Sequence, residues 1–249
     1  MEHKSVHLPG ALKPFLFQDP GLDRNPVRTL YRVHGKVEIE IEERVRAVSS
    51  GSSNNLSGNP ADCYEVQWRW KKGFRFGILS RQGLWPMRLE QRSGGVPHLD
   101  DLQVTYEKER AHLNIPGRDL CEWVTVPMGV MEPNLYAFSL QGFPFEKKEK
   151  VVFSELFHWP TVVKKYALYQ GKVDLSTRLG TFACHLVEVG NRGLTRHLAP
   201  RVKFWFNIHS PHEMLRVEVP KGTFWESEVI EIMSGEVTGQ STRADNVYG

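Results

Sequence analysis

Apolar side chains recur at every second position along most of this chain, and Gly, Asn and Pro residues separate the alternating runs. The pattern is densest in residues 173–233. Residues 37–45 show it too, as do two runs, 63–70 and 74–78, that flank a Lys71-Lys72-Gly73 turn. Alternation with period two places apolar side chains on one face of a β-strand and polar ones on the other. The sequence therefore predicts antiparallel β-structure with one apolar face.

The remaining alternating runs extend this interpretation over nearly the whole chain. They cover residues 85–90, 102–106, 111–115, 123–126, 151–159, 162–169, 173–177, 182–189, 202–208, 214–219 and 229–233. About a dozen short strands without a long 3.6-residue pattern predict an all-β meander, barrel or sandwich with few or no helices. Residues 130–150 stay open, because 135–144 fit either a short helical turn or a strand.

The chain is expected to form one antiparallel β domain over residues 31–234. Residues 1–30 contain four prolines without a steady period, which predicts an extended arm that Leu12, Phe15, Leu16 and Phe17 could hold against the fold. Residues 49–60 are rich in Ser, Gly and Asn and predict a mobile loop. Residues 235–249 predict a flexible tail.

Composition narrows the functional classes. The formal charge is +3 and the basic residues are scattered, so no nucleic-acid partner is expected. The three cysteines are far apart and predict reduced thiols. No window approaches the roughly 18 apolar residues of a membrane-spanning helix, and the first ten residues lack a secretory pattern. The expected location is cytoplasmic, or the envelope if a signal peptide has been removed.

Residues 173–189, which include Gly180-Thr181-Phe182, resemble the bacterial domain-of-unknown-function family 3108. Residues 202–206 and 215–219 are similar to that family's next hairpin, and Gly142-Phe143-Pro144-Phe145 is similar to its apolar Pro-containing segment. The resemblance covers residues 135–233. It implies a single long, curved antiparallel sheet, a half-barrel or clam similar to lipoprotein-carrier proteins, and supplies no catalytic residues.

The chain also departs from that family's pattern. Thr177-Arg178-Leu179 stands where the family has Val-Pro-Ala, and the typical signal peptide is missing. These departures weigh against the envelope location that the resemblance implies.

A curved sheet with few helices leaves one apolar face uncovered, and such a face usually marks a ligand groove or a partner surface. The first hypothesis is therefore a non-enzymatic binding or carrier module for a hydrophobic small molecule or lipid, without a cofactor. The candidate groove residues are Trp68, Trp70, Phe76, Phe182, Leu186, Phe204 and Phe206. The alternatives are an enzyme in which His185, Glu188 or Arg216 orients an intermediate, and an interaction domain that docks a partner through its apolar face.

Three groups of residues suggest chemistry, but each has a structural explanation that we prefer. Cys184 and His185 are neighbours on a predicted strand, so they point to opposite faces and cannot easily form a nucleophile–base pair. His209 and His212 lie in a Pro-containing turn, where histidines are more often solvated than bound to zinc. The acidic residues at positions 38, 40, 42 and 43 predict the wet face of a strand. We therefore assign no catalytic or metal-binding residue.

Overall fold

The computed structural model of the chain describes residues 17–19, 21, 24–33, 37–48, 62–96, 99–147, 150–157, 160–177, 179–193, 201–218 and 225–232. The predicted loop at 49–60 and the predicted tail at 235–249 lie outside these residues, as does most of the predicted arm.

Fourteen β-strands lie within the described residues. Their bounds are β1 (Arg24–Val33), β2 (Val37–Val48), β3 (Cys63–Trp70), β4 (Gly73–Ser80), β5 (Pro86–Arg92), β6 (Leu102–Glu107), β7 (Arg110–Ile115), β8 (Leu120–Thr125), β9 (Lys150–Phe157), β10 (Thr161–Thr177), β11 (Gly180–Asn191), β12 (Val202–Asn207), β13 (Met214–Glu218) and β14 (Trp225–Ile232). The helical elements in this part of the chain are one four-residue helix, α1 (Tyr136–Ser139), and the 3₁₀ turns Pro116–Arg118, Leu140–Gly142 and Phe145–Lys147.

The strands form two large antiparallel halves, one made of β1 to β8 and the other of β9 to β14. Within each half, every strand pairs with its neighbour along the chain. The antiparallel pairing of β1 with β14 joins the halves into one 14-stranded sheet. Strands β8 and β9 stand at its ends, so it does not close on itself through the described strands. The all-β, antiparallel prediction with few helices is confirmed, whereas the half-barrel shape stays a prediction.

Two strand boundaries differ from the prediction. Strand β1 begins at Arg24, so residues 24–30 belong to the sheet rather than to the predicted arm. Residues 162–169 and 173–177, predicted as two strands, are parts of the single 17-residue strand β10. Ahead of the sheet, Phe17 is buried and forms an isolated bridge with Gly83, which agrees with its expected anchoring role.

Strand register defines the inner face of the sheet. Val66, Gly77, Leu89, Val104 and Leu113 lie directly opposite one another along β3 to β7, and all five are buried. Residues directly opposite each other in an antiparallel sheet share one face. In the other half, Val187 lies opposite Phe204, which in turn lies opposite Val217. The apolar residues of both rows belong to one buried cluster, so the two halves contribute to a common core.

The chain itself covers this inner face. Residues 126–147, which we call the crossing segment, run between the two end strands and contain α1 and two of the 3₁₀ turns. Five large apolar side chains of the segment are buried in the common core: Leu135, Phe138, Leu140, Phe143 and Phe145. The uncovered apolar face that the sequence predicted is therefore covered in the structure, because the stretch with no clear period supplies the cover.

Backbone and side-chain hydrogen bonds hold the crossing segment against both halves. The Met131 amide donates to the Ser154 carbonyl at 2.8 Å, and the Leu156 amide donates to the Met131 carbonyl at 3.0 Å. On the other side, Tyr106 Oη donates to Glu132 Oε2 at 2.6 Å. Burial, followed by the charge of Glu132, raises the pKa of Tyr106 well above its usual value, so the phenol stays a donor. The segment is thus tied to β9 and to β6.

We expect Gly77→Ala to destabilise the protein by at least about 1 kcal/mol, because the added methyl group overpacks a filled core. A Cβ built on Gly77 overlaps Leu135 Cδ2 of the crossing segment. In Gly77→Ala/Leu135→Ala, the total loss should be smaller than the sum of the two single losses, as chemical unfolding of all three variants will show. Gly117→Ala is the matched control, since a Cβ there meets nothing within 4 Å. If the stability loss of the double variant equals the sum of the two single losses, the contact between position 77 and Leu135 is contradicted.

Candidate functional site

A bulge in β10 creates the most site-like feature of the described residues. The register of the pairing with β11 shifts between Tyr169 and Gly171, so Gln170 has no residue directly opposite it on β11. Gly171 adopts a φ of +120°, a conformation that L side chains rarely adopt. Bulges bend a strand and re-aim its side chains, and they occur often beside functional sites.

A pocket of about 480 Å³ opens at this bulge, and we call it the His185 pocket. Its lining residues are Phe145, Glu146, Tyr169, Gln170, Gly171, Lys172 and His185. Three structural elements meet here: β10, β11 and the last 3₁₀ turn of the crossing segment.

Aromatic rings pack closely in the wall of this pocket. The His185 imidazole stacks on the Phe145 ring with centroids 4.2 Å apart and an angle of 8° between the planes. His185 Nδ1 lies 3.0 Å from Tyr169 Oη, and the His212 ring lies 5.4 Å from the His185 ring. Phe206 packs behind Phe145 at 5.9 Å. His185 is consequently only 4% exposed although it lines the pocket.

Burial keeps the imidazole of His185 uncharged at neutral pH. Desolvation is the main reason that the pKa of His185 falls to about 4, and electrostatic interactions with His212 and Lys172 lower it further. Glu146 acts in the opposite direction but does not compensate. Desolvation, followed by the charge of Glu146, raises the pKa of Tyr169. The wall of the pocket thus offers a neutral imidazole and a protonated phenol.

This pair can exchange hydrogen bonds with a bound molecule without carrying a charge. When Tyr169 donates to His185 Nδ1, the imidazole carries its proton on Nε2 and can donate with it. His212 is oriented separately, because its Nδ1 donates to the Asn207 carbonyl at 2.9 Å. The arrangement suits an uncharged polar group on a flat apolar body, which the rings can stack against.

The seven predicted groove residues do not line one groove. Trp68, Trp70, Phe204 and Phe206 belong to the inner-face core or pack against it. Phe76 lies opposite Gln67, whereas Trp68 lies opposite Arg75, so Phe76 occupies the outer face. Phe182 and Leu186 are also on the outer face, where Phe182 packs on a small cluster formed by Leu175, Cys184 and Leu215. Strand alternation divides the set, and ligand binding by its members stays a prediction.

Three of the seven residues do share a second pocket. Trp68, Trp70 and Phe76 are part of the lining of a cavity of about 610 Å³ at the turn between β3 and β4, which we call the hairpin pocket. It has no lining residue in common with the His185 pocket.

The expected separation of Cys184 from His185 is confirmed. Cys184 lies in the outer cluster, and burial raises the pKa of its thiol to about 11, so it is not a thiolate at neutral pH. His185 lies on the inner face. The residues named for an enzyme do not converge either. Glu188 bonds Arg201 at 3.1 Å, and Arg216 lies 5.8 Å from the Trp205 ring, both on the outer face.

Two further chemical candidates have structural explanations. Of the acidic row, Glu43 is buried and accepts a hydrogen bond from Trp68 Nε1 at 3.0 Å, so it does not belong to a wet face. His209 is exposed, whereas His212 joins the aromatic cluster. Among the described residues, no group of three or more His, Cys, Asp or Glu side chains is arranged to hold a metal ion.

Sequence reasoning singled out His185, His212 and Phe206, but it did not predict that Tyr169 and Phe145 would pack with them. Tyr169 and Phe145 come from different elements, and alternation alone does not predict their meeting. One local signal was present: Gly171 interrupts an otherwise continuous alternating run, and a glycine inside a strand often marks a bulge.

Comparison with known proteins identifies no family for this chain. No family model and no curated protein matches it, so the resemblance to domain-of-unknown-function family 3108 is not confirmed. Two solved structures are similar in outline. One is a protein described as exported, with a YmcC-like fold, from Bacteroides fragilis. It is 9% identical, the match covers 89% of this chain and 100% of that one, and the TM-score is 0.30.

The other solved structure is a protein described as a lipoprotein, from Parabacteroides distasonis. It is 11% identical, the match covers 88% of this chain and 99% of that one, and the TM-score is 0.31. Likenesses this distant carry no argument about function. Within the described part of the chain, no helix has the length and apolar character needed to span a membrane.

Proposed function

We propose that this protein is a non-enzymatic binding module that holds a small molecule with a flat, apolar body and an uncharged polar group in the His185 pocket. The observation that carries the proposal is the buried, uncharged imidazole of His185, stacked on Phe145 and bonded to Tyr169 in the wall of that pocket.

The dimensions and lining of the pocket support this proposal. About 480 Å³ falls within the roughly 300–1,000 Å³ that is usual for small-molecule sites. Such sites combine apolar and aromatic walls with a few convergent polar groups, and a perturbed pKa in a cleft is a typical mark of function. Because the inner face is covered by the crossing segment, the ligand is assigned to this pocket rather than to a long apolar groove.

The proposal changes the chemistry of the predicted ligand. A lipid chain needs a long apolar channel, whereas this pocket has Glu146, Gln170 and Lys172 at its rim and aromatic rings in its wall. An aromatic or otherwise unsaturated small molecule fits the stacking surfaces better. Glu188 and Arg216, the residues that an enzyme at His185 was expected to use, lie on the other face of the sheet, and this arrangement favours binding over catalysis.

We expect Gln170→Trp to weaken binding of the uncharged fluorescent probe prodan by about tenfold or more, a loss of about 1.4 kcal/mol or greater. Gln170 is exposed at the rim, so an indole there obstructs the pocket without disturbing the core. Titration of the probe's emission against protein concentration measures the dissociation constant. Native mass spectrometry of the purified protein would show whether a flat small molecule accompanies it.

Lys164→Trp is the matched control, because Lys164 is exposed on the same strand and lies about 20 Å from Gln170 along β10. Prodan affinity should be unchanged in this variant. Equal affinities in wild type, Gln170→Trp and Lys164→Trp would show that the probe binds elsewhere, and the His185 pocket would lose its assigned role.

A further inference from the structure

The hairpin pocket differs from the His185 pocket in its charge. Four cationic side chains, Arg69, Lys71, Lys72 and Arg75, line it together with a single carboxylate, Glu90. The Lys71-Lys72 turn lies between β3 and β4, so the two ammonium groups project at the end of a hairpin. Both lysines and Arg69 are exposed to solvent.

Among the described residues, most of these cations have no carboxylate partner within salt-bridge distance. The carboxylate of Glu90 is already engaged by Arg88, with Nη2 to Oε2 at 3.2 Å. Arg75 donates from Nε to Gln91 Oε1 at 2.7 Å and lies 5.3 Å from the centre of the Trp68 ring. By contrast, no salt bridge links Arg69, Lys71 or Lys72 to another of the residues that the structure describes. Three cations are therefore available to a ligand.

Flat apolar surfaces lie beside these cations. Phe74 is directly opposite Arg69, and Phe76 is directly opposite Gln67, so a phenyl ring and a guanidinium share the outer face of the hairpin. Both phenylalanines are only partly buried. Trp70 is held in position by a hydrogen bond from Nε1 to the Ser93 carbonyl at 3.0 Å. Gly73 allows this placement, since a Cβ there would overlap the Trp70 indole.

We propose that the hairpin pocket is a second ligand site, which binds a small organic anion with a planar apolar body. The carboxylate, sulfonate or phosphate group of the ligand pairs with Arg69 and the two lysines, since a guanidinium matches the geometry of such oxyanions. Its ring system covers Phe74 and Phe76. A volume of about 610 Å³ accommodates a ligand of two or three fused or linked rings.

The test compares two probes with closely matched ring systems. 1-Anilinonaphthalene-8-sulfonate carries a sulfonate, and N-phenyl-1-naphthylamine is its uncharged counterpart. We expect the triple variant Arg69→Gln/Lys71→Gln/Lys72→Gln to weaken binding of the sulfonate at least about tenfold, because charge-assisted hydrogen bonds are lost. Binding of the neutral probe should be unchanged. All three positions are exposed, so the variant is expected to fold normally.

The control variant Lys108→Gln/Lys164→Gln/Arg192→Gln removes the same side-chain types and the same charge from exposed positions outside the pocket. It should leave the affinity for the sulfonate unchanged. Running both triple variants in the Gln170→Trp background keeps probe molecules out of the His185 pocket. The sulfonate affinity of the wild type should also fall as the salt concentration rises.

Three outcomes would overturn the proposal. The first is an equal loss of sulfonate affinity in both triple variants, which would reflect net charge alone. The second is a parallel loss for the neutral probe, which would show an apolar site without selectivity for anions. The third is sedimentation with phosphatidylglycerol vesicles that the pocket variant loses while its sulfonate affinity is intact, which would make a membrane surface the occupant.

Discussion

Replacing Phe138 by alanine is expected to lower the free energy of unfolding by about 3–5 kcal/mol. Phe138 lies in α1 of the crossing segment and is 2% exposed. Its ring meets the Trp68 ring edge to face, with centroids 5.0 Å apart. Truncation would leave a cavity under the covered inner face, since close-packed neighbours relax only partly into such a space. Guanidinium unfolding near neutral pH measures the loss.

Phe157→Ala provides the matched control, because Phe157 is exposed on the end strand β9. The same change of side chain there should alter stability by no more than about 0.5 kcal/mol. If Phe138→Ala fails to fold, Phe138→Leu should still show a smaller, measurable loss. A wild-type unfolding midpoint for both Phe138 variants would contradict the view that the crossing segment completes the core.

The covered inner face explains why both candidate sites lie at irregularities of the sheet. One sits at the bulge around Gly171, and the other sits at the turn between β3 and β4. Regularly paired strands present side chains in fixed rows, and the inner rows are filled by the core. Concave space is left where the ladder shifts or ends. The two sites differ in chemistry because one is built from an uncharged imidazole and phenol and the other from a group of cationic side chains.

Local alternation predicted the strands well because it reports which face of a strand each residue occupies. Trp68 is buried and Arg69 is exposed, as their neighbouring positions require. The same rule separated Cys184 from His185. It also explains why a set chosen for apolar character does not line one groove. Phe76 and Phe204 lie on opposite faces of the sheet, which hydrophobicity alone does not reveal.

The features that defined the sites depend on contacts between distant parts of the chain. Within the crossing segment, residues 135–144 fit either a short helical turn or a strand, so the role of the segment as a cover follows only from the space between the sheet halves. The pairing of β1 with β14 joins residues about 200 positions apart, and no short stretch of sequence predicts it. Phe145 stacks on His185 because the crossing segment folds back over the inner face.

The second large effect that we expect is a loss of stability in mild acid that depends on His185. The pKa of His185 is lowered to about 4 from 6.5, mainly by burial, so the folded protein keeps this imidazole neutral where the unfolded chain protonates it. The unfolded state then binds more protons, and stability must fall as the pH decreases from about 6.5 to about 4. Between about pH 7 and about pH 4.5 this group should account for roughly 2 kcal/mol.

His185→Asn should remove most of that pH dependence. Asparagine can keep a polar atom near the position of Nδ1 for Tyr169, but it does not titrate. It also loses the stack on Phe145, so the variant is less stable at neutral pH, and the informative quantity is the change in unfolding free energy between the two pH values. Contributions from other groups, such as Asp19, whose pKa is also lowered, are common to both proteins and cancel.

His209→Asn makes the same substitution at an exposed position and should leave the wild-type pH dependence intact. Urea unfolding at both pH values, with each variant compared with wild type, gives the required differences. If His185→Asn loses as much stability in acid as the wild type does, His185 is charged in the folded state. A charged imidazole could not supply the neutral donor and acceptor on which the proposed ligand chemistry depends.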